Sequence, residues 1–479
     1  MILQTAPLYD MDFFGLPIQV EISEAPLTSD AGLLPLRQFD DRIEFTTQFA
    51  AALADPRDAD HIEHTYLEMV RMRIFGIVAG YTDQNDHDTL RSDPVFKLIA
   101  NRSPDDADLA SQPTLSRFEN QIDIPSLKNL RDVFIDTFLD SFAERPLTLT
   151  FDLDPVDDAT HGAQQLTLFN AFYDQFQYLP MVFTCAENDQ IVLLSLRHGT
   201  AMASLGADDD LAYLVNRVRS VWPDVQIRVR GDCGFGNPTM YDVCESLDVI
   251  YTFGQTANRY LQRQTDDLLA EAQRLWNATH EPQRLFAGFW YRARNWPVLR
   301  WVVVKVEANA QGTNRRFVTT NRPGGPMFLE GTYDEYAMRG ESENRNKEFK
   351  CGMAMDRLSD HRFLANFFRL YLHAAALNLL IRLRREIADP PAHAGEVPVA
   401  ALPEPERKEY HNARRRRDPL GEGQPATWRL LVIKVAAEVV VSCRRIVIRL
   451  SGSWPHRQFF EKVRDHVCRR PAVPHFWTG

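Results

Sequence analysis

The chain has 479 residues, 44% hydrophobic and 25% charged, with 23 glycines and 28 prolines; these are the proportions of a folded globular protein and exclude a disordered, fibrous or collagen-like one. At roughly 100 to 200 residues per domain, the length predicts two to four structural units. The formal charge of −11 argues against a polyanionic partner, yet residues 401–479 hold 16 Lys and Arg against 8 Asp and Glu, a local +8 that leaves −19 on the rest, and such a basic tail is compatible with phosphate contact.

The first residues carry no basic stretch followed by an apolar one, so no secretory signal is expected and a reducing cytoplasm is. Residues 1–145 read as a helical N-terminal region: 45–53, 61–80 and 127–142 have apolar residues at helical spacing. The aspartates between them, such as Asp83, Asp86, Asp88 and Asp93, lack the glycine and final glutamate of a calcium loop and are expected to form turns and caps. At Pro146 the pattern changes. Residues 147–153 alternate with period two, and 178–185, 190–196, 225–229 and 249–253 are further strand candidates, with helices near 208–221 and 239–246. This α/β stretch, 146–258, is expected to be one part of a sheet covered by helices.

A β-rich insertion follows at 259–332, after a helix at 261–280. A polar helix is expected at 333–350 and a long apolar one at 362–387, completing the core over 333–388. The latter contains Asn366, Arg369, His373 and Asn378, which hydrocarbon tolerates poorly, so it is expected inside a large core and not in a membrane. The final 389–479 reads as a Pro/Ala-rich linker and a helical, basic C-terminal region with Arg414, Arg415, Arg416 and Arg417. Six scattered cysteines without C-x-x-C or finger-like spacing exclude a disulfide scaffold and a structural zinc site.

Carboxylates stand where strands end. Asp152 and Asp154 close the first strand and Asp232 follows the strand at 225–229, the side on which open α/β sheets hold their sites. A turn or cap role is the commoner use of such an aspartate. The polar helix adds a second signal: at about 100° per residue, Tyr336, Arg339, Glu343 and Lys350 fall within an arc of roughly 60°. One carboxylate flanked by two cations and a phenol suits metal-dependent phosphoryl transfer, although polar helices often only face water.

The series Tyr336, Arg339, Glu343, Lys350, with two, three and six residues between, resembles the Y-R-E-K signature of DDE transposases in the insertion-sequence family 4 group. Residues 80–93, 112–120, 161–165 and 360–366 are similar to the insertion-sequence family 1380 branch, and the likeness covers nearly the whole chain. It implies a ribonuclease-H-like core in which Asp154, Asp232 and Glu343 hold two Mg²⁺ ions, with Mn²⁺ as a substitute. The first aspartate of the family reads D-x-T, whereas Val156 stands in the Thr place here; Asp154 is preferred and Asp152 stays as the alternative first ligand. Tyr336, Arg339 and Lys350 would contact DNA, and residues 1–145 would bind the terminal inverted repeats, with Arg71, Arg73, Arg91, Arg102 and Arg117 as candidates for phosphate contact. The partner is double-stranded DNA, at the element's ends and in the target, and joining two ends implies a dimer on DNA. Trp290, Trp296 and Trp301 of the insertion offer an aromatic platform for an unstacked base.

Other templates fail. No phosphate-binding G-x-x-x-x-G-K-[ST] loop occurs, so no nucleotide cofactor is expected, and no G-x-S-x-G elbow occurs. The rivals are a ribonuclease-H-fold nuclease that cuts without joining and a catalytically silent DNA-binding protein.

Overall fold

The computed structural model describes residues 9–11, 18–20, 22–389 and 404–469; the linker expected at 389–405 lies almost wholly outside them. Short strands β1 (Tyr9–Met11) and β2 (Ile18–Val20) pair with each other, and β3 (Leu27–Thr28) joins a C-terminal hairpin. The N-terminal helices are α1 (Leu33–Ile43), α2 (Phe45–Ala51), α3 (Tyr66–Ala79), α4 (His87–Leu90), α5 (Pro94–Ile99), α6 (Gln112–Asn120) and α7 (Ile124–Leu139). Their ends follow from sequence: Thr65 and Glu68 form a reciprocal capping box on α3, and Gly80 closes it at φ 99°. Asp93 and Asp123 accept N–H bonds at the starts of α5 and α7, the cap role expected of Asp93.

Eight strands form one mixed sheet. Its centre is β4 (Thr148–Pro155), with β10 (Gln226–Gly231) parallel to it on one side and β11 (Ile250–Gln255) parallel beyond. On the other side β8 (Met181–Cys185) and β9 (Ile191–Ser195) run antiparallel in sequence. Strands β12 (Gln283–Tyr291), β13 (Arg300–Asn309) and β14 (Gly312–Thr320), from the block expected as an insertion, extend this sheet because β14 pairs with β11. A small sheet of β5 (Asp158–Ala159), β6 (Leu168–Asn170) and β7 (Gln175–Tyr178) stands beside it. Helices α8 (Ala207–Val221) and α9 (Pro238–Ser246) connect the parallel strands, and α10 (Arg259–Arg263) and α11 (Asp266–Thr279) precede β12.

The polar helix expected at 333–350 is interrupted. It appears as α12 (Leu329–Ala337), α13 (Gly340–Lys347) and a π-turn at Glu348–Gly352. The Arg339 N–H turns to the Tyr336 carbonyl, a tighter bond than the α-helical one, and the π-turn then inserts an extra residue, so a uniform 100° spacing does not hold across the segment. Helix α14 (Phe363–Ile387) lies in the core with 89% of its most apolar stretch buried, as expected, although it is long and apolar enough to cross a membrane. Asn378 on α14 bonds both the N–H and the C=O of Ile191, occupying the free edge of β9.

The C-terminal region departs from the all-helical expectation. Besides α15 (Glu404–Arg417), α16 (Pro425–Trp428) and α17 (Arg457–Arg469), it contains a hairpin of β15 (Ala437–Ser442) and β16 (Arg445–Leu450). The β-branched runs Val439-Val440-Val441 and Ile446-Val447-Ile448 across a two-residue turn explain it. Residues of α1, α3, α14 and α17 share one apolar core, and the inner faces of the large sheet share another.

Three of the five arginines expected to contact phosphate, Arg71, Arg73 and Arg102, are engaged within the fold. Arg73 and Arg369 clamp the buried Glu119 at 2.8 and 2.5 Å, tying α3, α6 and α14 together. Burial alone would raise the Glu119 pKa, but Arg369 and Arg73 hold it down at about 2. Arg71 is equally buried, beside Asp40 and Thr46, and Arg102 pairs with Glu68. Only Arg117 of the five is exposed, and Arg91 is half-buried near Asp108. Of the three tryptophans, Trp296 is buried and Trp301 half-buried, while Trp290 is exposed.

Replacing Glu119 with Ala takes from Arg73 its one carboxylate partner and leaves Arg369 with Asp360 alone, and should cost about 3–5 kcal/mol, read as a lower denaturation midpoint at unchanged m-value. His87 and His373 are fully buried, and burial lowers both pKa values to about 3. The unfolded chain therefore binds more protons below pH 6.5, and the stability present above that pH is lost as pH falls toward 3. Urea unfolding at pH 7 and pH 5 should differ by roughly 2–4 kcal/mol, at up to 1.36 kcal/mol per histidine per pH unit.

Candidate active site

Alternation along β4 sends Leu149, Phe151 and Leu153 into the sheet's core and leaves Asp152 and Asp154 together on the other face. The two carboxylates have different partners. Asp152 lies opposite Arg230 in the register of the parallel β4–β10 pair, and the guanidinium takes both of its oxygens, at 2.6 and 2.7 Å. Asp154, at the strand end, accepts a 2.6 Å bond from Asn346 Nδ2 on one oxygen, and its other oxygen is 3.8 Å from Arg339.

Asp232 follows the last residue of β10, two positions beyond Arg230. One of its oxygens accepts the Gly234 N–H at 2.7 Å, so it also shapes the turn. Glu343 and Asn346 are on α13, and Arg339 at its start reaches Glu343 at 3.5 Å as well as Asp154. Asp154 and Glu343, almost two hundred residues apart, thus meet on one guanidinium. Asp232, Tyr336, Arg339 and Glu343 line a cleft of about 440 Å³ whose lining also includes Lys305 and Arg316 from β13 and β14.

Helix α12 is seated by a close approach. A Cβ on Gly254 of β11 would stand 2.8 Å from the Tyr336 hydroxyl and 2.9 Å from the Cys233 nitrogen, closer than carbon packs. The bare backbone lets Tyr336 reach the turn that carries Asp232. Lys350 is not on this face. It lies in the π-turn and pairs with Asp157 at 2.9 Å, three residues beyond Asp154.

Burial pushes the Asp154 carboxyl up to about 7; Arg339 opposes the shift, and the charges of Asp232, Glu343 and Asp152 add to it. Burial also raises the Tyr336 phenol, again against Arg339. As the side chains are placed, no group of three His, Cys, Asp or Glu among the described residues could hold a metal ion. The donor chemistry nevertheless fits a hard divalent cation: Asp154, Asp232 and Glu343 offer oxygen ligands, and the Arg339 guanidinium rests between two of them as a positive charge would.

Sequence reasoning missed Arg230, Asn346 and Gly254. Arg230 had a usable signal, since it stands in the strand just before the turn that carries Asp232. Asn346 had only its i+3 spacing from Glu343, which is common, and the Gly254 requirement depends on a tertiary contact.

The chain belongs to the family described as transposase DDE domain group 1, whose model matches residues 12–397. Enzymes of this family are nucleases and transferases acting on DNA, and they generally use divalent metals. A search of curated proteins finds no match.

A divalent cation held by Asp154 would have to displace its proton below about pH 7. Apparent Mn²⁺ affinity, read from the free-ion paramagnetic resonance signal, should fall about tenfold per pH unit below that point and level off above it. An affinity unchanged between pH 5.5 and 8 contradicts this.

Proposed function

We propose that the protein is a DDE transposase of the insertion-sequence family 1380 type, which cuts DNA at its element's ends and transfers the freed strand into target DNA. Family membership supports transposition in general. The observation that carries the finer reading is the meeting of Asp154 and Glu343 on Arg339, with Asp232 in the same cleft. The strand order β9-β8-β4-β10-β11, an antiparallel hairpin beside three parallel strands, supports a ribonuclease-H-like core.

In this reading Asp154, Asp232 and Glu343 hold the metal ions. Two Mg²⁺, or Mn²⁺ in their place, would supply an activated attacking oxygen and charge compensation at the leaving one. Asp154 is the first ligand, and Asp152 is not, because freeing Asp152 would leave Arg230 unpaired in the interior. Asn346 orients Asp154. Arg339, once displaced from the carboxylates, is free to grip a phosphate with a planar fork, while Lys350, released from Asp157, acts as a point charge. Tyr336 packs on the Asp232 turn and offers its hydroxyl to the DNA end. Lys305 and Arg316 extend the positive wall along the cleft. Residues 1–145 bind the inverted repeats, and two chains act together on DNA in the cytoplasm.

Purified protein with Mg²⁺ should cut a duplex carrying its own flanking inverted repeats and insert that end into a plasmid. Cutting without joining supports a plain nuclease; binding without cutting supports a silent binder. Asp232→Ala and Glu343→Ala should each lower nicking about a thousandfold or more, a loss of about 4 kcal/mol of transition-state stabilisation, with repeat binding within a few fold of wild type. Loss of binding alone, in folded variants that still nick, counts against the assignment.

A further inference from the structure

The edge of a β-sheet presents a row of unpaired N–H and C=O groups, and folded proteins blunt it with short strands, charges, proline, bulges or a covering group. The other described edge strands follow that rule. Asn378 covers β9, β16 carries Arg445 and Arg449, and β1, β2, β3, β5 and β6 are two or three residues long. Strand β12, at the far end of the eight-stranded sheet, does not. It is nine residues long, contains no proline, and pairs in unbroken register with β13 and with no other strand among the described residues. Its one charge, Arg284, is folded back over Phe286 and onto Asp334.

Both faces of β12 are covered, so only its edge is open. Leu285, Ala287 and Phe289 pack on the side of α11, and Phe286 packs on the side of α12, its ring 6.0 Å from that of Tyr333. All five residues from Leu285 to Phe289 nevertheless stay half-buried, whereas Val302, Val303 and Val304 on the neighbouring β13 are fully buried. Trp290 ends the row 61% exposed. Leu268, Leu269 and Trp276 of α11 are half-buried in the same way. An apolar section through helix, sheet and helix is thus cut open along one side.

We infer that a second copy of this chain lays its own β12 antiparallel along this edge, about a two-fold axis at Ala287, and joins two eight-stranded sheets into one. The strand is self-complementary about that point. Leu285 then lies opposite the partner's Phe289, Phe286 opposite the partner's Gly288, and Arg284 opposite the partner's Trp290, a guanidinium beside an indole. An axis at Gly288 would instead set Arg284 against the partner's Arg292, like charges directly opposed. Nine residues make an edge about 30 Å long, and a helix–sheet–helix section is roughly 25 Å deep. Each copy therefore covers on the order of 800 Å², the size of a stable interface. DNA is the poorer occupant, because its phosphates only accept hydrogen bonds and would leave the outward carbonyls of the edge unsatisfied. No residue of β12 lines the acidic cleft, so the pairing leaves that cleft open. The contact forms without DNA and does not rest on the transposase reading.

The test uses the full-length protein without DNA. Sedimentation equilibrium at micromolar concentration should give twice the 55.0 kDa mass of the chain. Trp290→Lys sets a cation against the partner's Arg284 and should weaken the dimer at least about tenfold, whereas Trp290→Glu loses the same ring, places opposite charges together and should stay within about threefold of wild type. The register is read separately, at exposed positions that leave the fold intact. Residues directly opposite on antiparallel strands have Cα atoms within disulfide reach. A mixture of Arg284→Cys and Trp290→Cys proteins should therefore form a disulfide-linked dimer under mild oxidation, above the level of wild type, and neither variant should do so alone. A wild type that stays monomeric at tens of micromolar overturns the inference. So does equal weakening by Lys and Glu, or cross-linking of either cysteine variant by itself as strong as in the mixture. The transposase reading stands or falls on cleavage and is untouched by any of these results.

Discussion

The pairing of Arg230 with Asp152 sets the geometry of everything around the cleft. The two residues are opposite one another on adjacent parallel strands, so the register of the sheet brings a guanidinium against a carboxylate in a site with almost no water. An unpaired charge there would be costly; matched in a two-pronged bond, it becomes a fixed point. A remaining nitrogen of Arg230 donates to the Glu335 carbonyl at 2.8 Å. That carbonyl is free because the Arg339 N–H has turned to Tyr336 instead. The break between α12 and α13 is thereby anchored to the middle of the sheet, and the Glu335 side chain is held by Arg228 and Arg322. Helix α13 then starts near the end of β4, which is why Asn346 and Arg339 reach Asp154.

The same arrangement separates two chemically identical side chains. Asp152 and Asp154 share a strand face, yet one is saturated and the other holds only an amide and a distant guanidinium. The partly satisfied carboxylate, crowded by Asp232 and Glu343, is the one that a proton or a cation stabilises. Arg339 supplies the nearby positive charge, 3.8 Å from Asp154.

Much of this was legible in the sequence. The period-two run into Asp152 and Asp154, the apolar strand before Asp232 and the spacing of Arg339 and Glu343 each have a local cause, and each lands where local rules put it. Lys350 failed the helical arithmetic because a π-turn, dictated by packing of Phe349 and Glu348 into the interior, has no reliable sequence mark. The small sheet β5–β7 was overlooked because its strands are two to four residues long and its aromatic rings face outward, so no core-facing alternation announces it. Arg71 and Arg73 look like surface cations in the sequence; only the fold reveals that Glu119 and Asp40 are waiting beneath them.

Helix α14 carries the consequence furthest. Through Arg369 it shares Glu119 with α3 and α6, and through Asn378 it closes the β9 edge of the sheet. Residues of β8 and β9, Val182, Ile191 and Leu194, belong to the apolar core that α14 forms with the N-terminal helices. The N-terminal helices are therefore not a separate body joined by a hinge; they are packed through α14 onto the same sheet whose central strand ends at Asp154.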